Sequence, residues 1–314
     1  MSLFETLSGL AVRHLPRERL LQLRRIYQGT RARLNPLMAA IHGHFGVSEL
    51  RAHLEEKVGH DYEILMVHSS MNHMLPMFTG DAMGLLRMLE DFVGPERTLV
   101  MPAFYLGDPQ INDVVESFRR SPVFDVRRTP SQMGVMTELF RRGKGVAQSL
   151  HPTHRIAARG PLAQEITAGH MSAGSTFGRG TPFDVMARHD TCIIGIGKPF
   201  EVLTQVHHVE DLLAEAFPVP GKLSQVPVTL RDSGKVEHAF ELRWRKYDWP
   251  RNMWLLRELM AAEKLSEWRF HHVPLFMTRA SDVTESLLQA AEMGKTLYQN
   301  QETRGQVCVS DGSA

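Results

Sequence analysis

Short apolar runs alternate along the chain with segments whose apolar positions recur at helical spacing. EILMVHSS (63–70), TLVMPAF (98–104) and DTCIIGIG (190–197) are apolar almost throughout, as strands covered on both faces are. Between and beyond them the spacing predicts helices over SELRAHLEEKVG (48–59), TGDAMGLLRMLEDFVG (79–94) and MGVMTELFRRGKG (133–145). It predicts two more over RNMWLLRELMAAEKL (251–265) and SDVTESLLQAAEMGKTLYQ (281–299). Thr79, Gly80 or Asp81 opens the second helix and Gly94 closes it. VPVTLR (226–231) and VEHAFELR (236–243) flank DSGK and predict an antiparallel hairpin. The pattern implies a layered α/β/α domain around a central mixed, mostly parallel sheet over residues 47–300. A basic helical N-terminal extension over 1–46 precedes it, and a flexible tail over 301–314 follows.

Composition sharpens this picture at the N-terminus. The 314-residue chain is 43% apolar, enough to bury a sizeable core, and its net charge is +1, so no global field points to nucleic acid. Residues 1–34 nevertheless hold seven arginines against two glutamates, and PRERLLQLRRIYQ (16–28) reads as a basic amphipathic helix. Such a segment suits peripheral membrane or anionic-partner contact through residues 13–33, or it packs on the domain with its arginines solvated. Two cysteines, Cys192 and Cys308, make no disulfide framework, and no apolar run is long enough to cross a bilayer. A cytoplasmic protein, free or at the inner face of a membrane, is the expectation.

Several familiar motifs are absent. GIGKP (195–199) fits neither a dinucleotide-binding turn nor a phosphate loop, and there is no G-x-S-x-G and no H-E-x-x-H. Polar clusters do follow the apolar strands, where α/β sheets place their sites. In VLTQVHHVEDLL (202–213) a helix puts His207 one turn beyond Thr204, with Glu210 and Asp211 one turn further on. A carboxylate on one imidazole nitrogen leaves the other free as a general base. His208 points about 100° away on the same helix and does not share that role. A solvated polar face explains the same residues taken alone.

Six segments in order carry a resemblance: VHSS (67–70), TLVMPAF (98–104), FDVRRTPSQMGVMTELFRR (124–142), SLHPTHRIAARGP (149–161), GRGTPFDVM (178–186) and TQVHHVE (204–210). Together they resemble the aminoglycoside 3-N-acetyltransferase family over roughly residues 48–290. The resemblance implies acetyl-CoA as donor and direct transfer to an amine. It implies His207 as general base with Glu210 beside it. Ser69, Ser70, Met71, Ser149 and Thr181 then fall at coenzyme-binding positions. Backbone N–H groups near the HSS turn are candidates for the oxyanion, and Asp108 and Glu241 are candidates for orienting the acceptor amine.

The departures bear on the acceptor. Leu203 and Gln148 stand where the family usually has asparagine and arginine. Arg243 and Arg245 share a strand with Glu241, whereas a site for a polycation should be acidic. The sequence therefore favours an amine of an amino sugar in a glycoconjugate or nucleotide-sugar setting over an aminoglycoside. Trp244, Trp249 and Trp254 either stack on a sugar or pack in the core. Two other readings stay open: a metal-dependent amidohydrolase or deacetylase using His151, His154, His207 and Glu210, and a non-catalytic relative in polysaccharide assembly.

Overall fold

The computed structural model describes residues 35–299. In chain order it contains α1 (Val47–Lys57), β1 (Ile64–Ser69), α2 (Met71–Met74), α3 (Ala82–Val93), β2 (Thr98–Pro102), α4 (Val114–Arg120) and β3 (Val123–Asp125). There follow α5 (Val135–Arg141), β4 (Ala147–Gln148), β5 (Ile156–Arg159), α6 (Ala163–Ala168), α7 (Pro182–Arg188), β6 (Thr191–Ile196) and α8 (Val206–Leu213). The chain continues with β7 (Gly221–Arg231), β8 (Glu237–Tyr247), α9 (Leu256–Leu259), β9 (Leu265–Phe270), β10 (Val273–Arg279) and α10 (Ala280–Glu292).

The period-two alternation of β1 sorts the helices into layers. Leu65 and Val67 join Leu50 and Leu54 of α1, Leu85 and Leu89 of α3 and Phe140 of α5 in one core. Ile64 and Met66 face the opposite way, onto Ile166 of α6, Phe183 of α7, Val206 and Val209 of α8 and Val283 of α10. This is the expected α/β/α sandwich. Asp81 caps α3 by accepting from the Gly84 N–H at 2.6 Å, and Gly94 ends that helix at φ 72°.

The main sheet runs β4-β5-β2-β1-β6-β10-β9. It is mixed, as expected, but parallel pairing is confined to β2, β1 and β6, and the four outer pairings are antiparallel. The predominance of parallel strands expected from the sequence is thus corrected to the centre alone. A tight hairpin joins β9 to β10, and long loops reverse the chain into β5. Strands β2 and β6 lie on opposite sides of β1, so their carboxyl ends open a crevice where connections leave in different directions.

The hairpin read from the sequence is longer than its apolar core, and it belongs to a second sheet, β3-β7-β8. Val226, Val228, Leu230 and Leu242 cover Phe118 and Phe124 in a third cluster. The helix expected over 251–265 is broken instead. A 3-10 turn, the four residues of α9 and a second 3-10 turn replace it, because the Asn252 side chain caps Trp254 N and Met260 is extended.

Two buried arginines tie the loops behind the crevice. Arg155 donates to the carbonyls of Ala103, Val126 and Thr129, and Arg141 grips Glu138 through Nε at 2.7 Å and Nη2 at 2.6 Å. Residues 35–42 are helical, and Phe45 is buried in a bridge with Phe78, so packing begins ahead of residue 47. The basic segment 13–33 and the tail 301–314 lie outside the described residues.

Candidate active site

A cleft of about 410 Å³ opens beside the crevice, between α8, the loop 174–177 and the edge strand β8. His207 and Glu210 enter it from α8, at the three-residue spacing that stacks side chains on one helix face. His207 Nδ1 lies 2.9 Å from Glu210 Oε2. A carboxylate accepts here, so the hydrogen is assigned to Nδ1 and the Nε2 lone pair is left for other work. Phe177 stacks on the imidazole at 4.7 Å and fixes its plane.

Arg251, far along the chain, closes this pair. Its Nη1 is 2.8 Å from His207 Nε2 and its Nη2 is 3.0 Å from Nδ1. The lone-pair directions of the two ring nitrogens diverge, so one planar guanidinium lies across the ring rather than along both. Arg251 Nη2 also donates to Glu210 Oε1 at 3.0 Å, and the Tyr298 hydroxyl donates to the same oxygen at 3.0 Å. Burial pushes the Glu210 carboxyl up, but His207, Arg251 and Tyr298 outweigh it and hold it below the ordinary carboxylate range. The same burial, with Glu210 adjacent, pushes the Tyr298 phenol up and keeps it a donor. Glu210 is thus a buried anion with every oxygen engaged, able to hold His207 in one tautomer and stabilise its protonated form.

The neighbours of the pair have structural work. His208 is buried and donates from Nδ1 to the Phe177 carbonyl at 2.5 Å. Asp211 accepts from the Phe177 N–H at 2.8 Å, and burial raises its carboxyl above the usual range. His154 lines the cleft, and with His151 and His170 behind it forms a buried set in which His151 and His170 stack at 4.4 Å. Ser149 Oγ meets His170 Nδ1 at 2.8 Å, and His170 Nε2 donates to the Thr176 carbonyl at 3.0 Å. Thr181 Oγ1 donates to the Gly178 carbonyl at 2.7 Å. Ser149 and Thr181 are both fully buried. They act on the loop that walls the cleft.

Ser69, Ser70 and Met71 sit at the carboxyl end of β1, inside the crevice. His68 Nε2 and Ser69 Oγ are buried there with no hydrogen-bond partner among the described residues, an unmet polar demand of the kind a ligand satisfies. The Ser70 N–H, a candidate oxyanion donor, is already given to the Ile196 carbonyl at 2.9 Å.

The structure does not bring the two acceptor-orienting candidates into the cleft. Asp108 lines a separate hollow with Asp113 and Glu116, and its Oδ1 accepts from the Gln110 N–H at 2.8 Å. Glu241 borders a neighbouring hollow and accepts from Gln225 at 2.6 Å. Leu203 is buried in the core rather than in the cleft wall, and Gln148 donates to the Arg141 carbonyl at 3.1 Å. Among the described residues no three His, Cys, Asp or Glu side chains are placed to hold a metal ion. Trp244 lines the cleft, while Trp254 packs against Phe200. No helix among the described residues is long and apolar enough to cross a membrane. Arg251 and Tyr298 were invisible to the sequence reading, because no short-range spacing links them to α8.

Comparison with known proteins places these features. The model of a family described as aminoglycoside 3-N-acetyltransferase matches residues 66–291. An aminoglycoside N(3)-acetyltransferase III of Serratia marcescens is 26% identical over 168 residues, covering 51% of this chain and 60% of that protein. A type IV enzyme of a Salmonella species is 29% identical over 191 residues, covering 58% and 68%. The match spans less than two thirds of the length of the first of these relatives. Among solved structures, AAC-IIIb in binary complex with CoASH superposes at TM-score 0.63 with 20% identity, covering 82% of this chain and all of that one. AAC(3)-Xa superposes at TM-score 0.67 with 19% identity, covering 83% and 98%.

Proposed function

The chain belongs to the aminoglycoside 3-N-acetyltransferase family, and from that premise we propose that it is an N-acetyltransferase moving an acetyl group from acetyl-CoA to an amine of an amino sugar. The observation that carries this reading is the His207–Glu210 pair, 2.9 Å apart at the wall of a cleft wide enough for a sugar.

An alkylammonium has no lone pair, so it must lose a proton before it can attack. His207 Nε2 takes that proton as Arg251 swings off the ring, and Glu210 compensates the imidazolium charge. The freed amine attacks the thioester carbonyl carbon, forming the C–N bond. The C–S bond breaks, and the imidazolium returns its proton to the departing thiolate. The remaining extra proton on the new amide nitrogen passes to the vacated His207 Nε2 and on to solvent. Ser69, Ser70 and Met71 hold the coenzyme at the end of β1, where His68 Nε2 and Ser69 Oγ lack partners among the described residues. Ser149 and Thr181 contribute indirectly, by fixing the 174–178 loop. Asp108 and Glu241 take no part in this scheme.

Thiol release from acetyl-CoA, measured over a panel of amines, tests the reading. His207→Ala is expected to lower kcat by about 100-fold or more while the protein still folds. Turnover near wild type in that variant removes His207 from the mechanism.

A further inference from the structure

The rim of the cleft carries charge that proton transfer does not use. Because β8 is an edge strand, both of its faces border the cleft, Trp244 from one and Arg243 and Arg245 from the other. Arg243 is exposed, donates to the Gly174 carbonyl at 3.2 Å, and among the described residues pairs with no carboxylate. Arg245 pairs with Glu215, whose side chain is 83% exposed, so solvent screens the pair.

The acids of the same cleft are all engaged. Glu210 is surrounded by His207, Arg251 and Tyr298; Asp211 is buried on the Phe177 N–H; Glu215 is on Arg245. Glu241 faces the next hollow. Among the described residues lining the cleft no acid is without a partner, while the Arg243 guanidinium pairs with no carboxylate and is open to an anion. Alternate residues of a strand stand about 7 Å apart on one face. Two guanidinium forks at that spacing suit one phosphate between them or two linked phosphates.

We propose that the acceptor is an amino sugar carrying a phosphate ester, held by Arg243 and Arg245 at the rim of the cleft while its amine meets His207. This rests on the acetyl-transfer reading above. The same arginines would also suit the phosphates of coenzyme A, and the experiment separates the two sources.

Thiol release is measured with glucosamine, glucosamine 1-phosphate, glucosamine 6-phosphate and the polycation sisomicin, on wild type, Arg243→Gln and Arg243→Glu/Arg245→Glu. Binding of the same four compounds to the enzyme–coenzyme A complex is measured by calorimetry. At least one phosphorylated sugar is expected to exceed glucosamine in kcat/KM and affinity by about 10-fold or more, the worth of one charge-assisted hydrogen bond. Arg243→Gln reduces that ratio, and the double charge reversal abolishes it with the KM for acetyl-CoA unchanged. Equal binding of glucosamine and both phosphates overturns the proposal. So does a rise in the KM for acetyl-CoA alone, which assigns the arginines to the coenzyme, and so does sisomicin as the best substrate. If no amine releases thiol, the acetyl-transfer reading fails, and calorimetry still decides the phosphate preference.

Discussion

Two histidine groups lie side by side in this molecule, and their surroundings set them apart. His207 stands at the cleft wall with a buried carboxylate on Nδ1. His154, which also lines the cleft, and His151 and His170 behind it are buried, with hydroxyls, backbone N–H groups and a carbonyl as partners and no carboxylate among the described residues. Burial pushes His154 well below its ordinary range, with His207 and His170 adding to the effect, and pushes His170 down to about 4. The same side chain is a proton acceptor where an anion can share the charge, and a neutral hydrogen-bonding brace where none can.

The sharpest way to break this contrast is at Glu210. Glu210→Gln replaces an obligate acceptor with an amide able to donate to Nδ1, which reverses the tautomer and leaves Nε2 protonated. A kcat loss of about 100-fold or more is expected in the thiol-release assay. A loss below threefold would make Glu210 a packing residue only.

The buried set predicts an acid limb in stability. A depressed native pKa means that the unfolded chain binds more protons between about 4, the His170 value, and 6.5. Stability is therefore complete above pH 6.5 and falls as the solution is acidified through that window. His170 alone accounts for about 3 kcal/mol across it. Denaturant melts from pH 7 to 4 check this, and His170→Gln should flatten the limb while lowering stability at pH 7. A limb unchanged by that substitution would show that His170 does not titrate on unfolding.

The smallest effect falls on the bond that joins the C-terminal segment to the base. Tyr298→Phe removes a hydroxyl that donates to Glu210 and accepts from Arg251, at an expected stability loss of about 1–2 kcal/mol. Thermal melts and a kcat within about threefold of wild type check it. A much larger loss of kcat would place the phenol among the reacting groups.

How much of this was legible in the sequence depended on the range of the interaction. The central strands, Asp81 as a cap and the His207–Glu210 pair follow from periodicity over one or two turns. Hairpin alternation identified β7 and β8 but not the separate sheet they build, because pairing with β3 is set a hundred residues away. Arg251 escaped for the same reason: it sits in a stretch whose apolar spacing looked helical, and only the fold shows what its guanidinium touches. Asp108 stands out in the sequence by its place after β2 and Glu241 by the family resemblance, and the fold turns each into a different hollow.

The proposed base is assembled from three stretches of chain, α8, Arg251 and Tyr298. A growing chain that has finished α8 holds the histidine and the glutamate but nothing to balance that carboxylate as it is buried. The site is therefore completed in order of synthesis, with the balancing charge arriving at Arg251 and the phenol that braces it arriving last. A chain shortened by its last few described residues should keep its sheet while Arg251 loses the ring and the hydroxyl that hold it against Glu210.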